Sequence, residues 1–416
     1  MKSKKWTLIL TSLTALTLMT ACGQSTTKSS TTAAADTTAI TTSAKNSQSS
    51  YFTEKDYDTS YDESTASKIE LSGSSASVSG DGVTVSGSTV TITKSGTYVI
   101  SGQSDGVQIK VEADKSADVH LVLKGATMTN TNAAISATSA GYFYLTLAEG
   151  TINSLSDSSS NSDDKANAAL FSKVDLTING SGTLNVDGKK SNAIKANDTL
   201  HITGGTYTIT AVGDAFNVND ELNITGTTMT IDAKEDGVKV DNDDDLTVGN
   251  MYLANNTITV TAGDDGIHAS GNLVIDSGTY TVKNSTEGIE GKGITINGGD
   301  INVYSTDDGV NAANKNAQQS DIYFTMTGGN LTVEVGQGDT DPIDSNGNIT
   351  VTGGTIKMTG QTGFDFDGTA TYTGGDIYLN GEKQTDIVNS MPGGGGPGGG
   401  PQGNGGPGGP APDKRG

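Results

Sequence analysis

One short pattern returns throughout the middle of this chain, and a repeat of near-constant length folds as a stack of like units rather than as separate compact cores. Its centre is a small or acidic pair, then Gly or Ala, then an apolar residue. The instances are Ser191-Asn192-Ala193-Ile194, Gly213-Asp214-Ala215-Phe216, Glu235-Asp236-Gly237-Val238, Asp264-Asp265-Gly266-Ile267, Thr286-Glu287-Gly288-Ile289, Asp307-Asp308-Gly309-Val310, Thr340-Asp341-Pro342-Ile343 and Gln361-Thr362-Gly363-Phe364. Successive Gly, Ala or Pro positions from 193 to 363 lie 22, 22, 29, 22, 21, 33 and 21 residues apart, and the two long intervals hold insertions around Asp243–Asn256 and Asn314–Ser320. Weaker copies stand at Ser104-Asp105-Gly106-Val107, Asn132-Ala133-Ala134-Ile135 and Asn167-Ala168-Ala169-Leu170.

Each period also holds two alternating stretches around a Gly-Gly or Asn-Gly turn, as in Leu200-His201-Ile202 and Tyr207-Thr208-Ile209 about Gly204-Gly205. Alternation over three to five residues between turn formers is a strand signal. No segment carries a helical stripe. The composition agrees: aromatic residues are 5% of the chain and glycines number 56. The expected fold is therefore all-β, a parallel β-helix of about ten coils of 21–22 residues with three short strands per coil. A leucine-rich repeat needs a longer leucine frame, and a calcium β-roll needs Gly-Gly-x-Gly-x-Asp at nine-residue spacing, so both rivals fail. Stacking buries rows of like residues. One expected row is Leu184, Tyr207, Met229, Ile258, Tyr280, Ile301, Leu331, Ile356, Ile377. The next is Val186, Ile209, Ile231, Val260, Val282, Val303, Val333, Met358, Leu379. This places Tyr207 and Tyr280 in the core.

The ends read differently. Residues 1–22 form an export signal with a basic start, an apolar run at Trp6–Met19 and the sequence Leu18-Met19-Thr20-Ala21-Cys22-Gly23, which resembles a bacterial lipobox. Cys22 is the lipidation candidate, so the expected location is extracellular, anchored to the bacterial membrane through lipid. A cleaved secretory signal with an incidental cysteine is the bland alternative. Residues 23–66 are poor in apolar side chains and read as a disordered Ser/Thr-rich tether. Residues 67–390 are the β-helix domain. Residues 391–416 read as a disordered Gly/Pro-rich tail.

The chain carries 48 acidic and 25 basic side chains, a formal charge of −23, and its only arginine is Arg415. Such a surface excludes nucleic acid as a partner, because phosphate contacts need clustered Lys and Arg. The acids instead fall on the repeat. Before the Gly position come Asp214, Asp236, Asp265, Glu287, Asp308 and Asp341; one residue earlier come Glu235, Asp264 and Asp307; two residues beyond it come Glu290, Asn311, Asp344 and Asp365. Strands stacked about 4.8 Å apart would set like charges against one another at roughly 3.5 kcal/mol per pair. Calcium, with six to eight oxygen ligands, fits between stacked coils, and Ca2+ is the expected cofactor. The alternative is that each Asp caps its own turn. A second cluster, Asp241, Asp243, Asp244 and Asp245, reads either as a metal site or as a solvated loop.

A calcium-dependent polysaccharide lyase is one reading, with Lys239 as base beside the metal. Paired carboxylates are too common here to mark a hydrolase, and a triad would need His120, His201 or His268, none with a strong partner in sequence. Polysaccharide binding asks less of the residues: the outward tyrosines Tyr142, Tyr144, Tyr304, Tyr323 and Tyr378 can stack on sugar rings. A structural or adhesive cell-surface stalk is the third reading.

The lipobox, the Ser/Thr tether, the Asp-Asp-Gly-Ile coils with Leu-x-Ile-x-Gly-Gly-x-Tyr-x-Ile, and the Met391-Pro392-Gly393 tail resemble a family of secreted bacterial carbohydrate-binding proteins. The resemblance covers about residues 67–400. It implies a right-handed, polysaccharide-lyase-like parallel β-helix, a cellulose or pectin-like ligand, and bound calcium, with Asp236, Asp265, Glu287 and Asp308 as ligands. Asn192, Thr362 and Pro342 depart from the pattern.

Overall fold

The computed structural model describes residues 50–242, 244–338 and 340–390. Cys22, the export signal, the Gly/Pro tail and Asp243 lie outside the described residues. Among the described residues there are 36 strands and two short 3-10 turns, Glu54–Tyr57 and Gln319–Asp321. All the strands belong to one open sheet. The fold is all-β.

Pairing follows the repeat. Asn192–Ala196 lies parallel to Phe216–Val218, which lies parallel to Val238–Val240. Thr199–Thr203 pairs with Glu221–Thr225, and Thr206–Ala211 with Thr228–Ala233, again in parallel. Most strands thus meet the one three places on, and where two strands of a repeat merge into one the interval is two. Antiparallel pairs occur only towards the two ends: Ser67–Gly73 with Ser75–Ser79, Val83–Ser86 with Thr89–Ile92, and Asp376–Leu379 with Glu382–Gln384. These hairpins occupy edges that would otherwise offer unpaired backbone to another chain.

Both expected core rows stand in register, from Leu184↔Tyr207 and Val186↔Ile209 through to Ile356↔Ile377 and Met358↔Leu379. Tyr207 and Tyr280 are each 1% exposed. Their phenols donate to the carbonyls of Gly204 at 2.9 Å and Ser277 at 2.8 Å, which satisfies the one polar atom each brings inside. The glycine of the motif is set by close approach. A Cβ on Gly288 would run into Val303 Cγ1 and the Gly309 carbonyl, and one on Gly309 into Val333 Cγ1.

The tether boundary needs correction. Residues 50–66 were expected to be disordered, yet they lie against the sheet. Phe52 and Asp56 are buried; Tyr51 stacks on Tyr252 with ring centroids 3.8 Å apart, and Phe52 meets His201 and Tyr252 edge-on. Two aromatics (Tyr51, Phe52) and one carboxylate, Asp56, anchor the segment. Composition averaged over 23–66 dilutes that signal.

Candidate functional site

The motif turns place two rows of side chains side by side. In the first, four members accept a backbone hydrogen bond from their equivalents one repeat later. Asn192 Oδ1 accepts from Asp214 N at 3.2 Å, Asp214 Oδ1 from Asp236 N at 3.0 Å, Asp236 Oδ1 from Asp265 N at 2.8 Å, and Asp308 Oδ1 from Asp341 N at 2.8 Å. These side chains therefore cap the turn of the next repeat rather than their own. That Asn192 does the same work as the aspartates shows that capping alone needs no charge.

The second row begins two residues past the Gly or Ala. Lys195, Asn217, Lys239, His268, Glu290, Asn311, Asp344 and Asp365 stand in continuous register. The row is cationic at its start and acidic at its end. Lys239 Nζ lies 2.6 Å from Asp236 Oδ2, and Asn217 Nδ2 donates to Asp214 Oδ2 at 2.6 Å. His268 Nδ1 sits 2.8 Å from Asp265 Oδ2 and 2.6 Å from Glu290 Oε2. Burial lowers the affinity of His268 for its proton, but the hydrogen bonds and charges of Asp265 and Glu290 outweigh it and push the pKa up to about 10. Lys239 is likewise driven up: burial works against its charge, and Asp236 overcomes that. So Lys239, expected as a solvated lysine or a base, is an ion-pair partner that holds its proton.

Beyond Glu287 the rows contain no basic residue. Burial first, then repulsion from Glu290, pushes Glu287 up to about 8. Burial with repulsion from Asp308 and Asp365 pushes Asp344 up to about 7. Burial, only partly offset by the Asp341 amide and reinforced by Asp307 and Asp341, pushes Asp308 up to about 6. Asn311 Nδ2 donates to Glu287 Oε2 at 2.9 Å, but Asn311 Oδ1 and Asp341 Oδ1 are buried without a hydrogen-bond partner. The outer members of the doublets, Glu235, Asp264 and Asp307, are exposed at the rim, though Asp264 still places a carboxylate oxygen within 4.8 Å of those of Asp236 and Asp265. In the insertion, Asp245 accepts from the amide and hydroxyl of Thr247, ordinary turn chemistry.

The tyrosines do not make one platform. Tyr142 and Tyr144 stack on each other at 4.5 Å and sit beside the 50–57 segment, where Tyr142 shares Thr177 and Asp56 as hydrogen-bond partners. Together with Tyr51, Lys55, His201 and Glu221 they line a cleft of about 590 Å³. Tyr323 follows Gly293 on that same face. Tyr304 and Tyr378 project from the other run of strands, registered against Glu334 and Lys357. His201, without a partner in sequence, has one in space: its Nδ1 is 3.2 Å from Asp56 Oδ1.

A family model described as carbohydrate-binding domain-containing protein matches residues 86–341 and, again, 266–390. The chain belongs to this family. Another member of the carbohydrate-binding family, from Acetivibrio thermocellus, is 38% identical over 125 residues, 29% of this chain and 44% of that relative. The chain thus matches less than half the length of that family member. A solved structure described as the polysaccharide lyase-like protein from C. thermocellum, a gadolinium derivative, shares 25% identity at a TM-score of 0.44, over 74% of this chain and 99% of its own.

Both family-model matches include the acidic turns from Gly266 to Asp341. Sequence reasoning found the acids and named Lys239 and His268, but missed that these two pair with Asp236 and Asp265. The signal was the spacing of three inside each motif, Asp236 to Lys239 and Asp265 to His268, which sets the two side chains next to each other across one turn.

Proposed function

We propose that this carbohydrate-binding family member is an extracellular polysaccharide-binding protein, held to the bacterial membrane by lipid on Cys22 and folded as a right-handed parallel β-helix of about ten coils. The parallel register of each strand with its equivalent in the next repeat supports the coil, and right-handed crossovers are the rule for parallel connections. Calcium bridges neighbouring coils, not along the whole ladder but at its acidic end. Asp308, Asn311, Asp341, Asp344 and Asp365 would hold it, an oxygen-only donor set of the kind calcium takes. The observation that carries this is the contrast between the two halves of one face: Lys239 and His268 pair with Asp236 and Asp265, while the two rows themselves hold no basic residue past Glu287. Bound calcium would supply positive charge there, so that carboxylates or hydroxyls of a polymer can approach.

The polymer is cellulose or pectin-like. Binding is favoured over β-elimination because a lyase needs a deprotonated base beside the cation, and Lys239 and His268 are both held in the charged form. Retention on insoluble polysaccharides in calcium, with ultraviolet absorbance of the supernatant followed over hours, tests this. Retention without unsaturated product is expected. Accumulating product would make the protein a lyase, and no retention on any polymer would leave the stalk reading.

A further inference from the structure

A cleft lined by three lysines and two aspartates lies where the second row begins. Ser136, Phe171, Lys195 and Asn217 stand in register there. Lys173, Asn197 and Asn219 follow their strands in a parallel file, joined by the backbone bonds Lys173 N to Ala137 O, Asn197 N to Ser172 O and Asn219 N to Ala196 O. With Lys165 from the neighbouring loop they enclose a cleft of about 690 Å³. Phe171 also lines it, buried against Ala133 and Ala166.

Three lysines converge on this cleft, and among the described residues none of Lys165, Lys173 and Lys195 forms an ion pair, although the chain has 48 acids. Lys195 is half-buried and its ammonium donates only to an amide, Asn167 Oδ1, at 3.0 Å. Two carboxylates stand at the rim, and Asp163 spends its Oδ1 on the amides of Lys165 and Ala166. The carboxylates of Asp214 and Asp163 act on the Lys195 ammonium without an ion pair to it, so a half-buried charge is left with room for an anion of closer approach. Asparagine amides supply the hydrogen bonds that sugar hydroxyls need besides.

We propose that this cleft is a calcium-independent subsite for the carboxylate of an acidic sugar, with Lys173 and Lys195 as its charge partners and the amides of Asn197 and Asn219 beside them. The inference rests on the polysaccharide-binding reading and adds where, and with what charge, the polymer is held. Lys195 and Asp344 are six strand spacings apart on one row, about 29 Å. An extended acidic chain lying along that row meets lysines directly at one end and acids through a cation at the other, which gives its two ends different handholds.

The test uses the full chain in chelator, titrated calorimetrically with a galacturonic acid hexamer and with the same hexamer after carboxyl reduction. The acidic hexamer is expected to bind and the reduced one to bind at least tenfold more weakly. Lys173→Ala and Lys195→Ala should each weaken the acidic hexamer about tenfold, the worth of one charge-assisted hydrogen bond. Lys173→Gln and Lys195→Gln repeat the test with stems preserved, and Lys383→Ala, far from the cleft, should change nothing. Equal affinity for both hexamers, no binding in chelator, or unaltered binding in both glutamine variants would overturn the subsite. Retention on insoluble neutral polymer, measured in parallel, separates the two proposals: retention with a failed hexamer removes the subsite alone, whereas loss of both removes polysaccharide binding.

Discussion

The ammonium of Lys239 lies 2.6 Å from Asp236 Oδ2, while the other oxygen of that carboxylate accepts the amide of Asp265 at 2.8 Å. One buried acid is thereby completed twice, by a turn in the next repeat and by a cation in its own. Breaking a buried pair costs more than the pair contributes, because it strands a charge. Lys239→Met should therefore lower stability by about 3 kcal/mol, read as a shift of the urea midpoint. Asp236→Asn in the same chain should restore most of it, since Asn192 already shows that an amide caps this position. A double variant no better than the single one would contradict the assignment.

His268 gives the ladder a pH dependence. Its folded pKa of about 10 lies above the usual 6.5, so the folded chain binds the proton more tightly than the unfolded one. The stabilisation is complete below about pH 6.5 and is lost as pH rises towards 10. Thermal unfolding in chelator should show the melting temperature falling between about pH 8 and pH 10, and His268→Gln should flatten that slope. An unchanged slope would mean that His268 is not held between Asp265 and Glu290.

The segment at residues 50–57 should come away as a unit. Phe52→Ala removes the ring that meets His201 and Tyr252, and Asp56→Ala removes the carboxylate that faces His201 and Thr177. Truncating a buried Phe costs about 3–5 kcal/mol, but the loss here falls on local docking. Hydrogen exchange should rise sharply at residues 50–57 and stay unchanged in the strands from Thr206 onward. Spread of the effect into those strands would show that the segment is part of the core.

Much of this was legible in the chain. Alternation around each Gly-Gly turn located the strands, and spacing alone put Tyr207 opposite Met229 and Tyr280 opposite Ile301. A repeat can be read this way because one register error would turn every apolar residue outward. The acids were equally visible, but their partners were not. The pairing of Asp236 with Lys239 and of Asp265 with His268 depends on how each turn folds, which the ladder of charges does not show. The docking of Asp56 beneath Tyr142 and Thr177 joins residues 86 and 121 positions apart, a separation at which no local pattern exists.

Glycine in the motif is required for shape. Gly288→Val should unfold or severely destabilise the chain, since even a methyl group meets Val303 and the Gly309 carbonyl. Ala193 and Ala215 occupy the same position without that clash, so Ala215→Gly should cost no more than about 1 kcal/mol. Thermal melts of the two variants side by side check the contrast.

Calcium-dependent retention is the most direct measure of function: the fraction of protein held on insoluble polysaccharide, followed against free calcium, for the wild type and for the Asp344→Asn, Asp365→Asn double variant. The wild type should be retained in calcium and released by chelator, and the double variant should need at least tenfold more calcium. Retention that ignores both chelator and the double substitution would remove calcium from the site, and a wild type that no polysaccharide retains would contradict the binding function itself.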